Sequence, residues 1–112
     1  MVVKTISAAN AARLLRTDPA VVLVCAYSRG DQFRQNGLEG AISLSEFRRR
    51  MHAFPKDENV IFYCACPHDE AAMRRAEECQ KQGFLNAQVL EGGVNAWKAA
   101  GYALVDSGVF SW

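Results

Sequence analysis

Two cysteines, Cys64 and Cys66, are separated by one residue at the end of an apolar run of strand length, Val60 to Tyr63. The next four residues bring an imidazole and two carboxylates into the same segment: Pro67, His68, Asp69 and Glu70. A cysteine thiolate is a nucleophile whose reactivity depends on the charges and hydrogen-bond donors around it. Because an alanine-rich helical pattern begins directly afterwards, the segment predicts a reactive cysteine, Cys64, in a strand-to-helix turn.

The other side chains of this turn are open to more than one interpretation. Cys66 is a resolving thiol, a sulfur relay or a filler, and His68 is a proton shuttle or a solvated loop residue. Asp69 and Glu70 either contact a substrate or favour the first turn of the helix through their negative charge.

Two further cysteines stand outside the turn. Cys25 ends another apolar run, so it is either a core residue or a thiol partner of Cys64. Cys79 falls on the inner face of the predicted helix and is expected in the core. A zinc site built from Cys25, Cys64, Cys66 and His68 has suitable ligand types, but its spacing matches no common zinc pattern. We therefore expect neither a metal nor another cofactor.

Strand and helix patterns alternate around the turn and must position it. Apolar runs predict strands at 21–26, 41–44, 60–64 and 87–90, and helical spacing predicts helices at 7–15, 45–51, 69–82 and 94–100. Ser7 and Ser45 are the expected helix caps, and Gly83 is the expected stop of the third helix. This alternation predicts an α/β fold with a parallel sheet that is covered on both faces.

Length and composition restrict the class of protein. The chain has 112 residues, half of them hydrophobic, which suits one domain with a real core. Thirteen Lys and Arg against twelve Asp and Glu leave a formal charge of +1, which gives no reason to expect nucleic acid or an anionic membrane as partner. We find no membrane span and no secretory signal. The four cysteines are unevenly spaced, which is typical of reduced, cytoplasmic thiols.

The predicted sheet places Cys64 where ligands bind. Binding sites of parallel α/β sheets lie at the C-terminal ends of the strands, and Cys64 ends one of them. The helix that follows begins with free backbone N–H groups and the positive end of its dipole, both of which favour an anion. We therefore expect the backbone N–H groups of residues 65–70 to face the Cys64 sulfur and to stabilise its thiolate.

Four segments resemble the rhodanese-like domain family. They are GLEGAISL at 37–44, the strand end Tyr63-Cys64, QGF at 82–84 and, most specifically, LEGGVNAWKAAGYAL at 90–104. The resemblance extends from about Ile6 to Leu104, so residues 1–112 are expected to form a single rhodanese-like domain. It implies a three-layer α/β/α fold with a parallel sheet of about five strands, and a Cys64 that carries sulfane sulfur as a persulfide.

The loop after Cys64 departs from the common family pattern Cys-x-x-Gly-x-Arg-Ser. It reads Cys64-Ala65-Cys66-Pro67-His68-Asp69-Glu70, so Asp69 replaces the arginine that helps to bind thiosulfate, and Glu70 replaces the serine. The family's Asp-x-Arg after the first central strand is Cys25-Ala26-Tyr27 here. The loop is similar to a Cys-x-Cys-Pro-Asn-Glu type of bacterial rhodanese domains. Related phosphatases bind phosphate with the arginine of Cys-x5-Arg, and Glu70 at that position argues against phosphatase activity.

These observations predict a sulfurtransferase in which Cys64 passes sulfane sulfur from a small donor to a thiol acceptor, either a small molecule or a protein. The alternatives are a non-enzymatic sulfur carrier or regulatory binding module, and a thiol redox protein that pairs Cys64 with Cys66 or Cys25. Because the carboxylates of Asp69 and Glu70 repel a dianion, thiosulfate is expected to be a weak donor that improves with Asp69→Arg. The protein is expected to be a monomer or a weak homodimer.

Two placements follow from the same pattern. Cys25 is expected at the same sheet edge as Cys64, since both end buried strands. The apolar side chains of the C-terminal VFSW segment, Val109, Phe110 and Trp112, are expected to pack on the domain or on a second copy.

Overall fold

The computed structural model of the protein describes residues 3–18, 20–27, 38, 40–65 and 69–102. Eight helices and strands alternate along these ranges: β1 (Lys4–Ile6), α1 (Ala8–Thr17), β2 (Val22–Cys25), α2 (Leu44–Arg50), β3 (Val60–Tyr63), α3 (Glu70–Lys81), β4 (Ala87–Leu90) and α4 (Gly93–Ala99). A short 3-10 turn, Met51–Ala53, follows α2. The C-terminal VFSW segment lies outside the described residues, as do Cys66, Pro67 and His68.

The four described strands form one parallel sheet in the order β1-β4-β3-β2. Cys25 lies opposite Tyr63 in the β2–β3 register. The predicted parallel α/β architecture is confirmed. Two details differ from the prediction: residues 41–44 contribute a single bridge between Ile42 and Val24, and β1 was not predicted from the sequence. β1 has only three residues, largely exposed, and its pairing with β4 is what makes it a strand.

Helices cover both faces of the sheet and produce two buried clusters. Val60, Phe62 and Cys64 point to the face that packs against α2 and α3. Ile61 and Tyr63 point to the opposite face, which packs against α1 and α4. The side chains of β3 are buried on both sides because successive residues of a strand alternate between faces. This explains why the central strand is a continuous apolar run.

Serine side chains begin two of the helices. The Ser7 hydroxyl accepts the Asn10 N–H at 3.2 Å, as expected for the start of α1. The cap predicted for α2 was wrong by two residues, since Ser43 rather than Ser45 accepts a backbone N–H, that of Glu46, at 3.1 Å. The reason is packing, because a start at Ser43 directs Leu44 into the core.

Candidate active site

Cys64 directly follows β3, which pairs with β2 on one side and β4 on the other, and it is fully buried. Its side chain belongs to the cluster that includes Ala26 and Ala72. Its carbonyl oxygen accepts the Val94 N–H at 3.1 Å. How its sulfur meets residues 66–68 falls outside the described residues. The described contacts therefore fix the backbone of Cys64 between the end of β3 and the start of α4.

A turn of two glycines packs directly on this backbone. Gly92 and Gly93 both have positive φ angles, +79° and +53°, which side chains disfavour. A Cβ atom on Gly93 would stand 1.8 Å from the Cys64 carbonyl oxygen. Glycine at position 93 is thus required by the close approach to Cys64. The LEGG segment packs directly against the backbone at the end of β3.

Asp69 ties the far end of the active-site loop to the same turn. Its backbone is left-handed at φ 56°, immediately before α3, and its side chain makes no helix-capping hydrogen bond. Instead its Oδ2 accepts the Gly92 N–H at 3.1 Å, and its Oδ1 is buried with no hydrogen-bond partner among the described residues. Asp69 therefore bridges the loop and the glycine turn, a role that the sequence analysis did not assign to it. Glu70 is the exposed first residue of α3.

Asp69→Ala is expected to lower the free energy of unfolding by about 2–3 kcal/mol, because it removes a hydrogen bond to a carboxylate and places alanine at a left-handed position. Asp69→Asn keeps both an acceptor oxygen and tolerance of positive φ, so its loss is expected to be under about 1 kcal/mol. Urea unfolding of the two variants measures the difference. Equal losses would show that the negative charge, and not the bond to Gly92, is what matters. Asp69→Arg also breaks this bond, so it is a poor test of charge alone.

The loop leaves the sheet at Ala65, and two side chains complete the hydrogen bonding there. The Ala65 N–H donates to the Tyr27 hydroxyl at 2.9 Å. The Arg75 Nε donates to the Ala26 carbonyl at 3.2 Å, while its Nη1 contacts the Glu78 carboxylate at 3.1 Å. Among the N–H groups expected to serve the Cys64 sulfur, that of Ala65 is therefore committed to Tyr27.

Arg75 is a residue that the sequence analysis missed. It lies in the middle of α3, and its side chain is 21% exposed. Nothing in the local pattern distinguishes it from the exposed Arg74, since only the packing of α3 on the sheet brings the Arg75 guanidinium to the end of β2.

Cys25 is fully buried on the sheet face opposite to Cys64. Burial raises the pKa of its thiol, and hydrogen bonds with the Tyr27 backbone and the Tyr63 hydroxyl only partly oppose this. Burial also raises the pKa of Tyr63, and the nearby Cys25 adds to the shift. The Tyr63 hydroxyl accepts the Leu38 N–H at 3.3 Å as well. Cys25 is thus a core thiol in a hydrogen-bonded cluster, where burial favours its neutral form.

The predicted sheet edge for Cys25 is confirmed, but its sulfur lies on the wrong face to pair with Cys64. Adjacent strands in register carry Cys25 beside Tyr63, and the alternation of faces then sends Cys64 to the other side. A disulfide between them would require one strand end to rotate. Cys79 is a core residue, as predicted, and burial raises its pKa to about 11, an effect that the charge of Lys56 reduces.

Other kinds of site find no support in the described ranges. They contain no group of three His, Cys, Asp or Glu side chains that could hold a metal ion. No helix within them has the length and apolar character needed to cross a membrane.

Fold and site together define a parallel α/β domain with a cysteine at the C-terminal end of an inner strand, held by a glycine turn. The chain belongs to the rhodanese-like domain family, whose model, described as "Rhodanese-like domain", matches residues 28–100. The family resemblance of the sequence is thereby confirmed. None of the curated proteins matches the chain.

Solved structures show the same fold. The rhodanese-like domain of the Anabaena sp. Alr3790 protein superposes with a TM-score of 0.76 at 20% identity, covering 99% of this chain and 86% of that chain. A rhodanese-related protein from Thermoplasma volcanium has a TM-score of 0.69 at 23% identity, covering 93% and 99%. A thiosulfate sulfurtransferase from Pseudomonas aeruginosa has a TM-score of 0.74 at 20% identity, and the match covers 92% of this chain but 20% of that one.

Proposed function

We propose that the protein transfers sulfane sulfur through a persulfide on Cys64. The observation that carries the proposal is the position of Cys64, which directly follows the inner strand β3 and lies before α3. Membership of the rhodanese-like family and a structural neighbour named thiosulfate sulfurtransferase support it. Cys25 lies on the opposite face of the sheet and Cys79 lies on α3, so neither thiol stands between β3 and the start of α3 as Cys64 does.

The reaction needs no cofactor. The Cys64 thiolate attacks the outer sulfur of a donor, the bond between the two donor sulfurs breaks, and the electron pair leaves with the rest of the donor. With thiosulfate that leaving group is sulfite, and with a persulfide it is a thiolate. A second thiolate then attacks the outer sulfur of the Cys64 persulfide and regenerates the Cys64 thiolate.

The charges near the loop favour donors with little negative charge. Asp69 and Glu70 follow the loop directly, and the guanidinium of Arg75 is shared with Glu78. A unit charge about 6 Å from an approaching unit charge opposes it by roughly 3 kcal/mol at an effective dielectric of about 20, before salt screening. We therefore expect thiosulfate to react more slowly than a persulfide donor.

Intact mass spectrometry tests the proposal. The protein is incubated with thiosulfate, a dianion, or with cysteamine persulfide, whose ammonium group offsets the charge of its persulfide, and one portion of each is then treated with a reductant. The expected product is one sulfur atom heavier, carries the added sulfur on Cys64 after peptide mapping, and loses it on reduction. The faster donor is expected to be the persulfide. No added sulfur from either donor, or a modification confined to Cys66, would contradict the assignment.

The same spectra separate the alternatives. A sulfur carrier would hold the added sulfur without releasing it repeatedly to a small thiol, and a regulatory binding module would accept none. A redox protein would lose two hydrogens as a Cys64–Cys66 disulfide forms on oxidation. Because Cys25 is on the other sheet face, a Cys64–Cys25 disulfide is not expected.

A further inference from the structure

The backbone hydrogen bonds between β2 and β3 end early: the register of the two strands allows one more bond than the structure shows. The Val22 N–H donates to the Asn59 carbonyl at 3.0 Å, and the Ala26 N–H donates to the Tyr63 carbonyl at 2.8 Å. Hydrogen bonds of a parallel ladder are evenly spaced, so the next one would run from the Ala65 N–H to the Ala26 carbonyl. That bond is replaced in this protein.

Each half of the missing pair is taken by a side chain from a different part of the chain. The Tyr27 hydroxyl accepts the Ala65 N–H at 2.9 Å. The Arg75 Nε donates to the Ala26 carbonyl at 3.2 Å. Ala26 is 1% exposed, so water is not an adequate substitute for the Arg75 donor at its carbonyl. Two specific side-chain hydrogen bonds therefore replace the backbone bond between Ala65 and Ala26.

We propose that Tyr27 and Arg75 are positioning residues that keep Ala65, the residue after Cys64, from pairing with Ala26, the residue after β2. The role deepens the proposed function and rests on it, because it stops the pairing of β2 with β3 from continuing past Cys64, which directly follows β3. Without the two side chains, the Ala65 N–H and the Ala26 carbonyl would pair with each other, and β3 would lengthen to include Cys64 and Ala65.

This arrangement predicts an unusual pattern of stability. Tyr27→Phe leaves the Ala65 N–H without its acceptor, and Arg75→Met leaves the Ala26 carbonyl without its donor. Each single variant is expected to lower Tm by about 5 °C. In the double variant the two backbone groups can bond each other, so Tm is expected to fall no further than in one single variant. A fall equal to the sum of the two would overturn the proposal.

The alkylation rate of Cys64 is expected to distinguish the double variant from the wild type more strongly than Tm does. Alkylation by iodoacetamide, mapped to Cys64 by peptide mass spectrometry, reports the position of the thiol without requiring sulfur transfer. Because closing the ladder in the double variant draws Ala65 onto Ala26, its Cys64 is expected to react about tenfold to a hundredfold more slowly than in the wild type. A double variant that is stable and still reacts at the wild-type rate would overturn the positioning role.

Two controls isolate the contacts. Glu78→Gln neutralises the carboxylate that pairs with the Arg75 Nη1 but keeps an acceptor oxygen there and the bond from Arg75 to Ala26, and Tyr102→Phe removes a hydroxyl elsewhere in the domain. Both are expected to keep the wild-type Tm and Cys64 reactivity. If Glu78→Gln reproduced Arg75→Met, the ion pair would be the relevant contact and the proposal would fail. Neither readout depends on persulfide formation, so a protein that accepts no sulfur would disprove the proposed function and leave this test intact.

Discussion

Gly93→Ala is expected to lower the free energy of unfolding by about 3 kcal/mol or more, and Tm by roughly 10 °C or more. A Cβ atom at this position would stand 1.8 Å from the Cys64 carbonyl oxygen and 3.0 Å from its carbonyl carbon. The obstructing atoms are backbone, so no side-chain rotation relieves the contact. The displaced Cys64 is also expected to lose most of its sulfur-transfer activity.

Gly83→Ala is the matched control for this variant. Gly83 also has a positive φ, +98°, but its added Cβ would meet only the Lys56 side chain, at ordinary contact distances from 3.7 Å. Its expected loss is about 1 kcal/mol, the cost of the backbone conformation alone. Urea unfolding and persulfide formation are measured on both variants. A Gly93→Ala protein as stable and active as Gly83→Ala would show that the glycine turn does not hold Cys64.

Cys64→Ser is expected to reduce sulfur transfer by about 10³-fold or more, since the hydroxyl cannot replace the thiolate as carrier of the sulfur. The site is fully buried, so the serine hydroxyl is expected to cost about 1–2 kcal/mol of stability as well. Cys64→Ala avoids the buried hydroxyl and should be equally inactive. Turnover with cysteamine persulfide and a small thiol acceptor measures the loss.

Cys79→Ala provides the comparison for Cys64→Ala. Both thiols are buried on the same sheet face, but Cys79 lies on α3, away from the strand end. Sulfur transfer is expected to survive in Cys79→Ala despite some loss of packing. Transfer that survives in Cys64→Ala, or that disappears in Cys79→Ala with the fold intact, would place the persulfide on another residue.

The sequence predicted those strands and helices whose patterns depend only on neighbouring residues. The apolar runs that became β2 and β3 are buried on both sides, and such strands are recognisable without knowledge of their neighbours. The helix start before Glu70 and its stop near Gly83 were likewise predicted nearly to the residue. β1 was missed, since its three residues are a strand only by pairing with β4.

The candidate site divides in the same way. The sequence by itself determined that Cys64 ends a buried strand before a helix, because strand length and helical period are properties of adjacent residues. Only the tertiary structure decided what surrounds that strand end. There the Asp69 carboxylate accepts the Gly92 N–H and the Tyr27 hydroxyl accepts the Ala65 N–H. These hydrogen bonds join residues that are 23 and 38 positions apart in the chain.

The tertiary structure also decided the position of the Cys25 sulfur and that of the Arg75 side chain. Register and strand alternation sent the Cys25 sulfur to the face opposite Cys64, which no inspection of spacing alone could reveal. The packing of α3 on the sheet brought Arg75 to Ala26, 49 residues away along the chain. Patterns of adjacent residues determine the elements and the position of the thiol within them, whereas hydrogen bonds between distant residues form only once the layers have packed.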